Sequence, residues 1–205
     1  MVWDIAAIQS YITNQVEENL NLDYKAADAL QKTEGKKKEI SKDVSAMANS
    51  GGGVLIYGIK EFSQAGKEHL PDKLDPVLRT EISKEWLEQV INSNIQPKIE
   101  GIIITPVPVG PDTVIYAVEI PQSTTAHQAN DKRYYKRYNF ESVAMEDYEV
   151  RDIMNRLKHP VVDLEFTIER TQQVERDPIN RTPKSGGQQW FEYVLKVRIK
   201  NNGKV

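Results

Sequence analysis

The small-residue run 49–53, Asn-Ser-Gly-Gly-Gly, constrains the fold of this chain more than any other feature. Before it, Ile40, Val44 and Met47 recur at helical spacing, and after it the segment 54–59 is an apolar run typical of a buried strand. Glycines end helices because they adopt left-handed backbone conformations at no steric cost. The order helix, glycines, strand favours a helix cap over a phosphate-binding loop, in which the strand precedes the glycines.

The hydrophobic pattern changes character near residue 160. Up to there, helical and strand patterns alternate, which predicts an α/β domain with a mixed sheet and packed helices over residues 1–159. Beyond it, the segments 162–168 and 191–199 alternate strictly between apolar and polar residues. This pattern predicts that residues 160–205 begin an all-β module.

The end of the sequence adds an expectation about this β module. Asn201-Asn202-Gly203 is a hairpin-turn signal, yet only two residues follow it. We therefore expect the chain to be a piece of a longer protein. We also expect residues 160–205 to be mobile or to borrow a sheet edge from a neighbouring copy, because a two-stranded ribbon is marginally stable alone.

Composition limits the possible chemistry and location. The sequence has no cysteine, which excludes disulfides, thiolate zinc sites and cysteine nucleophiles. It shows neither a signal peptide nor an apolar run of membrane-spanning length, so we expect a cytoplasmic protein. The formal net charge of −3 means that any nucleic-acid surface must be a local basic patch.

Three acidic residues stand at the ends of predicted strands. Glu18 precedes and Asp23 lies within a short strand that ends Asp23-Tyr24-Lys25, and Glu61 closes the strand after the glycines. The plain interpretation is that such acids are solvated and that Asp23 and Lys25 form a surface pair. The alternative is a site for Mg²⁺ or Mn²⁺, which prefer carboxylate oxygens.

Together, the Glu18–Lys25 segment and the 45–61 segment resemble the AlbA-like domain (AlbA_2 type) of the Schlafen group, over about residues 10–158. The resemblance implies an α/β nucleic-acid-binding domain. In nuclease members, three carboxylates bind a divalent metal and cleave RNA, and position by position these correspond to Glu18, Asp23 and Glu61. This chain departs from the pattern by carrying Asp at the second position, Glu at the third, and Lys60 where an acid is common.

Two basic segments are candidates for contacting nucleic acid, because cations neutralise phosphates and aromatic rings stack on bases. The first is a lysine run in the segment 26–38, which is predicted to be a loop; the second is a predicted strand over residues 132–138. The candidate residues are Lys36, Lys37, Lys38, Lys132, Arg133, Tyr135, Lys136 and Arg137. The alternative interpretation is a polar loop and an edge strand protected by its charges.

Three functions remain open from the sequence. The first is binding of RNA or DNA, and the second is a metal-dependent endoribonuclease that uses the three carboxylates with Mg²⁺ or Mn²⁺. The third is a regulatory module that senses a nucleotide, since some relatives are described as ATP-binding. In Schlafens two such lobes form one groove, so a chain with a single lobe is expected to form a homodimer.

Overall fold

The computed structural model describes residues 2–156 and 162–201, which fall into two compact units, residues 2–156 and the described part of 157–205. The first unit contains α1 (Ile5–Thr13), β1 (Leu22–Lys25), a 3₁₀ turn (Ala27–Leu30), α2 (Glu34–Asn49), β2 (Gly53–Tyr57), β3 (Ile59–Glu61), β4 (Pro71–Leu74), β5 (Val77–Leu78), α3 (Lys84–Asn94), β6 (Ile103–Pro108), β7 (Thr113–Ile120), β8 (Tyr135–Tyr138), β9 (Glu141–Ala144) and α4 (Asp147–Met154). The second contains β10 (Val162–Val174) and β11 (Gln189–Asn201).

A five-stranded mixed sheet forms the centre of the first unit. Its order is β1-β2-β7-β5, and β6 also pairs with β7. The β1–β2 pairing is parallel and the others are antiparallel. The predicted α/β class with a mixed sheet is therefore confirmed. No helix among the described residues is both long and apolar enough to cross a membrane.

Alternation along the strands gives the sheet two apolar faces. Leu55 and Tyr57 of β2 point into a core that includes the buried side chains of α2 and α3, whereas Ile56 points into a second core with residues of α1. In the β1–β2 register Asp23 pairs with Leu55 and Lys25 with Tyr57. Two charged residues thus occupy strand positions on the α2 side, where a sheet of this kind usually carries apolar side chains.

Packing against neighbouring backbone explains the glycines after α2. Gly52 and Gly53 have φ of 71° and 155°. A Cβ on Gly52 would lie 2.6 Å from the Gln122 nitrogen, and one on Gly53 would lie 2.4 Å from the Asn21 carbonyl oxygen. The run therefore lets β2 start between two other chain segments.

Local structure differs from the sequence-based expectation in the segment 26–38. This segment is not a loop: it contains the 3₁₀ turn and the start of α2, whose first N–H groups are capped by the Thr33 hydroxyl, which accepts from the Lys36 nitrogen at 3.3 Å. The segment 132–138 is strand only from Tyr135 onward, because Lys132 has a positive φ of 68°. The polar segment 62–79 contains the short strands β4 and β5.

The second unit is a long antiparallel ribbon whose thirteen residue pairs run from Val162–Asn201 to Val174–Gln189. One face carries cross-strand apolar pairs, namely Leu164–Ile199, Phe166–Val197 and Ile168–Leu195, and all six side chains are exposed. The opposite face carries ion pairs such as Lys196–Glu169 at 2.6 Å. His159, Pro160 and residues 202–203, which the sequence analysis used for the domain boundary and the final turn, lie outside the described residues.

Candidate functional site

A tight turn brings Glu18 next to Asp23. Asn19 and Leu22 exchange backbone hydrogen bonds of 3.0 and 3.3 Å, so the chain reverses between the two acids. One carboxylate oxygen of Glu18 accepts a hydrogen bond from the Tyr24 nitrogen at 2.7 Å. Both acidic side chains are buried, Asp23 completely.

Two cations hold the Asp23 carboxylate. Arg137 of β8 donates from Nη1 to Asp23 Oδ2 at 2.8 Å, and Lys25 pairs with Oδ1. The Arg137 side chain is 1% exposed and also donates from Nη2 to the Asn19 carbonyl oxygen at 3.4 Å. Its backbone nitrogen donates to the Ser50 hydroxyl at 2.8 Å, which ties β8 to the end of α2. These bonds fix Asp23 rigidly.

Glu61 and His69, both from the β3–β4 hairpin, join Glu18 and Asp23. We call these four residues the acidic cluster. Donor atoms of Glu18, Glu61 and His69 all lie within 4.8 Å of one another. His69 Nδ1 is 3.2 Å from Glu18 Oε2, and the His69 carbonyl oxygen accepts from the Glu18 nitrogen at 3.0 Å. The imidazole stacks on the Phe140 ring, with 3.8 Å between the ring centroids. Carboxylate and imidazole groups are ordinary ligands of divalent cations, so these donors suit such an ion.

Burial and neighbouring charges shift the pKa values of the acidic residues. Burial raises the pKa of Glu18 to about 9, and the neighbouring Asp23 adds to this shift. Burial and the Asp23 charge also raise the pKa of Glu61, although Lys25 and His69 oppose them. The pKa of Asp43, a buried residue of α2 facing Lys25, is raised mainly by burial too.

Lys25 responds in the opposite way. Burial lowers the pKa of Lys25, but the charges of Asp23 and Asp43 raise it by a larger amount. The net result is a pKa above the usual value. Lys25 therefore stays protonated between the two acids. Its side chain is 28% exposed, so the ammonium group is still within reach of solvent.

The predicted site residues thus fall into two groups. Glu18 and Glu61 come together with His69, and Asp23 lies beside them with both oxygens occupied by Lys25 and Arg137. Lys60 is exposed and forms no ion pair among the described residues, so it does not occupy the cluster. His69 was not predicted, because it lies in a polar loop with no ligand-type spacing to another histidine.

The predicted basic residues are divided between surface and interior. Arg137 and Tyr135 are buried, and the Tyr135 hydroxyl donates to Asp131 at 2.5 Å, so neither is presented to a ligand. Lys136 pairs with Glu149 of α4. Lys132 and Arg133 are exposed.

The lysines of α2 lie beside that exposed pair. Lys36 and Lys37 form ion pairs of 2.7 Å with Asp28 and Glu34, and Lys38 Nζ lies 3.6 Å from Asp131. The last contact places the first turns of α2 against the loop that carries Lys132 and Arg133. Lys38 therefore shares a surface with Lys132 and Arg133, whereas Lys36 and Lys37 pair with acids of other segments.

Comparison with known proteins gives structural and family relationships. The fold is similar to that of the DIP2311 protein from Corynebacterium diphtheriae, with a TM-score of 0.47, 16% identity and 74% of this chain covered. It is also similar to the N-terminal domain of a putative ATP-dependent DNA helicase RecG-related protein from Nitrosomonas europaea, with a TM-score of 0.40, 19% identity and 54% of this chain covered. The matched regions span 31% and 68% of those two proteins.

No curated protein matches the sequence. The profile of the family described as "Schlafen, AlbA_2", by contrast, matches residues 18–146, which is more than half of the sequence and includes every residue of the acidic cluster. The chain belongs to the Schlafen AlbA_2 family.

Proposed function

We propose that the first unit binds nucleic acid and cleaves it with a divalent cation held at the acidic cluster. The observation that carries the proposal is that the turn carrying Glu18 and Asp23 meets Glu61 of the β3–β4 hairpin, so that two buried carboxylates and one half-buried carboxylate lie together. Burying ionised carboxylates is costly unless positive charge compensates them. Clusters of ionisable groups with strongly shifted pKa values are concentrated at functional sites.

The charge balance indicates what is missing. Lys25 and Arg137 face a larger number of carboxylates, because Asp43 adds to the three acids of the cluster. Burial is the main cause of the raised pKa values of Glu18 and Glu61, and the charge of Asp23 adds to both. A divalent cation would supply the remaining positive charge and would bind the ionised carboxylates in competition with protons.

The cluster residues have distinct roles in this proposal. Glu18 and Glu61 would hold the cation, which when bound stabilises negative charge on phosphate oxygens and activates water. Asp23, fixed by Arg137, positions the Lys25 ammonium at the edge of the cluster. That partly exposed ammonium group is suited to pairing with a phosphate oxygen of the bound strand.

The basic residues of α2 and of the loop before β8 support the proposal that this unit binds nucleic acid. Exposed ion pairs such as Lys36–Asp28 contribute about 0–1 kcal/mol, so a phosphate can replace the carboxylate at little cost. Lys36, Lys37 and Lys38 also lie in the first turns of α2, where the helix dipole favours anions. Arg133 and Arg137 are four residues apart, roughly 13 Å along an extended segment. The loop that carries Arg133 therefore lies within a few nucleotides of the acidic cluster.

Cleavage is tested with labelled single-stranded RNA and DNA, in Mn²⁺ and in EDTA. We expect Glu61→Gln to reduce cleavage at least about 100-fold while leaving affinity in EDTA unchanged, because it removes a metal ligand and no phosphate contact. Glu17→Gln is the matched control, since Glu17 is exposed and adjacent to Glu18. Cleavage that persists in EDTA, or survives Glu61→Gln, would disprove the nuclease proposal.

Binding is tested separately by the salt dependence of affinity. Replacing Lys132 and Arg133 with alanine should weaken binding and lower the slope of log affinity against log salt by about 1.4–1.8, the value for two lost phosphate contacts. The control is Lys184→Ala with Lys196→Ala, which removes the same charge from the second unit. Equal slopes for the two double variants would place the binding surface elsewhere.

We also propose that two copies associate, as the Schlafen resemblance implies, so that each contributes one lobe to a shared groove. Light scattering at micromolar concentration with nucleic acid present should give the mass of a dimer complex. A strictly monomeric mass would contradict this part of the proposal and leave the cleavage test unaffected.

A further inference from the structure

We infer that His69 is a ligand of the cation at the acidic cluster and that the ligand set Glu18, Glu61 and His69 gives the site a preference for Mn²⁺ over Mg²⁺. The inference rests on the proposed metal site and deepens it. It assigns a residue outside the three-carboxylate pattern and predicts which class of ion the site takes.

The position of His69 is fixed by contacts outside the ring nitrogens. Its carbonyl oxygen accepts from the Glu18 nitrogen at 3.0 Å, which joins the β3–β4 loop to the turn before β1. Its ring lies nearly parallel to that of Phe140, at 14° and 3.8 Å. These contacts hold the imidazole in place, which reduces the entropy lost on binding an ion.

Asp23, the third carboxylate, is poorly placed to bind the ion instead of His69. Both oxygens of Asp23 are held by cations, and Arg137 is buried with its Nε already lacking a partner. If Asp23 turned toward a metal ion, the buried guanidinium would lose its counter-charge, at a cost of several kcal/mol. His69 has a donor atom within 4.8 Å of Glu18 and Glu61, and its Nδ1 contact of 3.2 Å is with Glu18, itself a proposed ligand.

The donor set determines the class of ion. Mg²⁺ prefers oxygen ligands and retains its waters, whereas imidazole nitrogen favours first-row transition metals. Two carboxylates with one imidazole therefore fit Mn²⁺ or a later ion of that series. Mn²⁺ is the suitable probe because it is paramagnetic and is also accommodated by carboxylates.

The direct test is pulsed electron paramagnetic resonance of the full chain with Mn²⁺. The unmodified protein should show ¹⁴N coupling from an imidazole bound to Mn²⁺, and His69→Ala should lose it. His127 does not confuse the assignment, because its two ring nitrogens already contact the Pro97 carbonyl oxygen and the Ser123 hydroxyl. Coupling that persists in His69→Ala, or is absent from the unmodified protein, would overturn the inference.

Isothermal titration calorimetry with Mn²⁺ and with Mg²⁺ measures the preference of the site between the two ions. We expect His69→Ala to weaken Mn²⁺ binding about 10–100-fold and Mg²⁺ binding much less, whereas His69→Asp should narrow or reverse the preference by supplying an oxygen donor. Glu68→Gln, an exposed change in the same loop, is the control. Equal losses for both ions would refute the selectivity. Nitrogen coupling without nucleic-acid cleavage would leave His69 as a ligand and reject the nuclease proposal.

Discussion

The two units of this chain depart from the usual distribution of side chains in opposite directions. The first unit buries charged residues, among them Glu18, Asp23 and Arg137, beside a central sheet that is otherwise apolar on both faces. The second exposes large apolar residues, such as Phe166 and Leu195, along one face of a two-stranded ribbon. Buried charges and exposed apolar patches are the two informative exceptions in a folded protein.

The difference lies in how each exception is compensated. The buried acids have their partners within the same unit, since Arg137, Lys25 and the Tyr24 nitrogen all contact them directly. The ribbon provides nothing within itself to cover its apolar face, because its two strands only pair edge to edge. The first unit therefore has a preformed site, whereas the second has a surface whose stability depends on cover from outside the ribbon.

Limited proteolysis should show the largest contrast. Arg176, Arg181 and Lys184 lie in the exposed connection between β10 and β11, and trypsin should cut there quickly. The elements α1 to α4 should survive as an intact fragment, because opening the core costs the global free energy of unfolding whereas a loop opens at almost no cost. We expect a difference in rate of about 10³-fold or more by mass spectrometry. Similar rates would show that the ribbon is as firmly packed as the core.

Removing Arg137 should have the next largest effect. Arg137→Met leaves Asp23 buried with one cation instead of two, and breaking a buried pair costs about 3–5 kcal/mol of the free energy of unfolding. The control is Arg151→Ala, which breaks an exposed ion pair with Asp147 on α4 and should cost less than about 0.5 kcal/mol. Denaturant unfolding followed by circular dichroism compares the two. Equal effects would mean that the interior pair is no more important than a surface pair.

The pH dependence of stability should give a smaller effect. Because the folded-state pKa of Glu18 is raised from 4.5 to about 9, its contribution is full below pH 4.5 and is lost as the pH rises toward 9. In EDTA the protein should lose up to about 2.7 kcal/mol between pH 6 and 8 relative to Glu18→Gln, the value for one proton over two pH units. Denaturant unfolding at both pH values measures this, and a parallel pH dependence in the two proteins would contradict it.

Much of this architecture could be predicted from short-range patterns. The glycine run identified the end of α2 and the start of β2, and strict alternation identified both strands of the ribbon. The lysine segment was misjudged as a loop because its charges obscure the helical pattern. Its real signal was Thr33, which caps the helix with Glu34 in the first turn.

The site was less predictable because it depends on contacts between distant residues. Glu18 and Glu61 could be proposed from the resemblance, but a lone histidine in a polar loop carries no local signal, so His69 became visible only through its distance to them. Arg137 was assigned to the surface because it alternates with other basic residues in the sequence. Its burial is decided by Asp23, which the sequence cannot place opposite it.

The pairing of Arg137 with Asp23 also orders events during synthesis of the chain. The two residues are 114 positions apart, so at about 5–20 residues per second Asp23 leaves the ribosome roughly 6–23 seconds before its guanidinium partner. Until then Lys25 is the neighbouring cation of Asp23, and water must solvate the carboxylate that is buried in the finished protein. β1 can pair with β2 early, but its helix-facing side can dry out only when β8 arrives. The acidic cluster therefore gains its final charge balance only after nearly all of the first unit has been made.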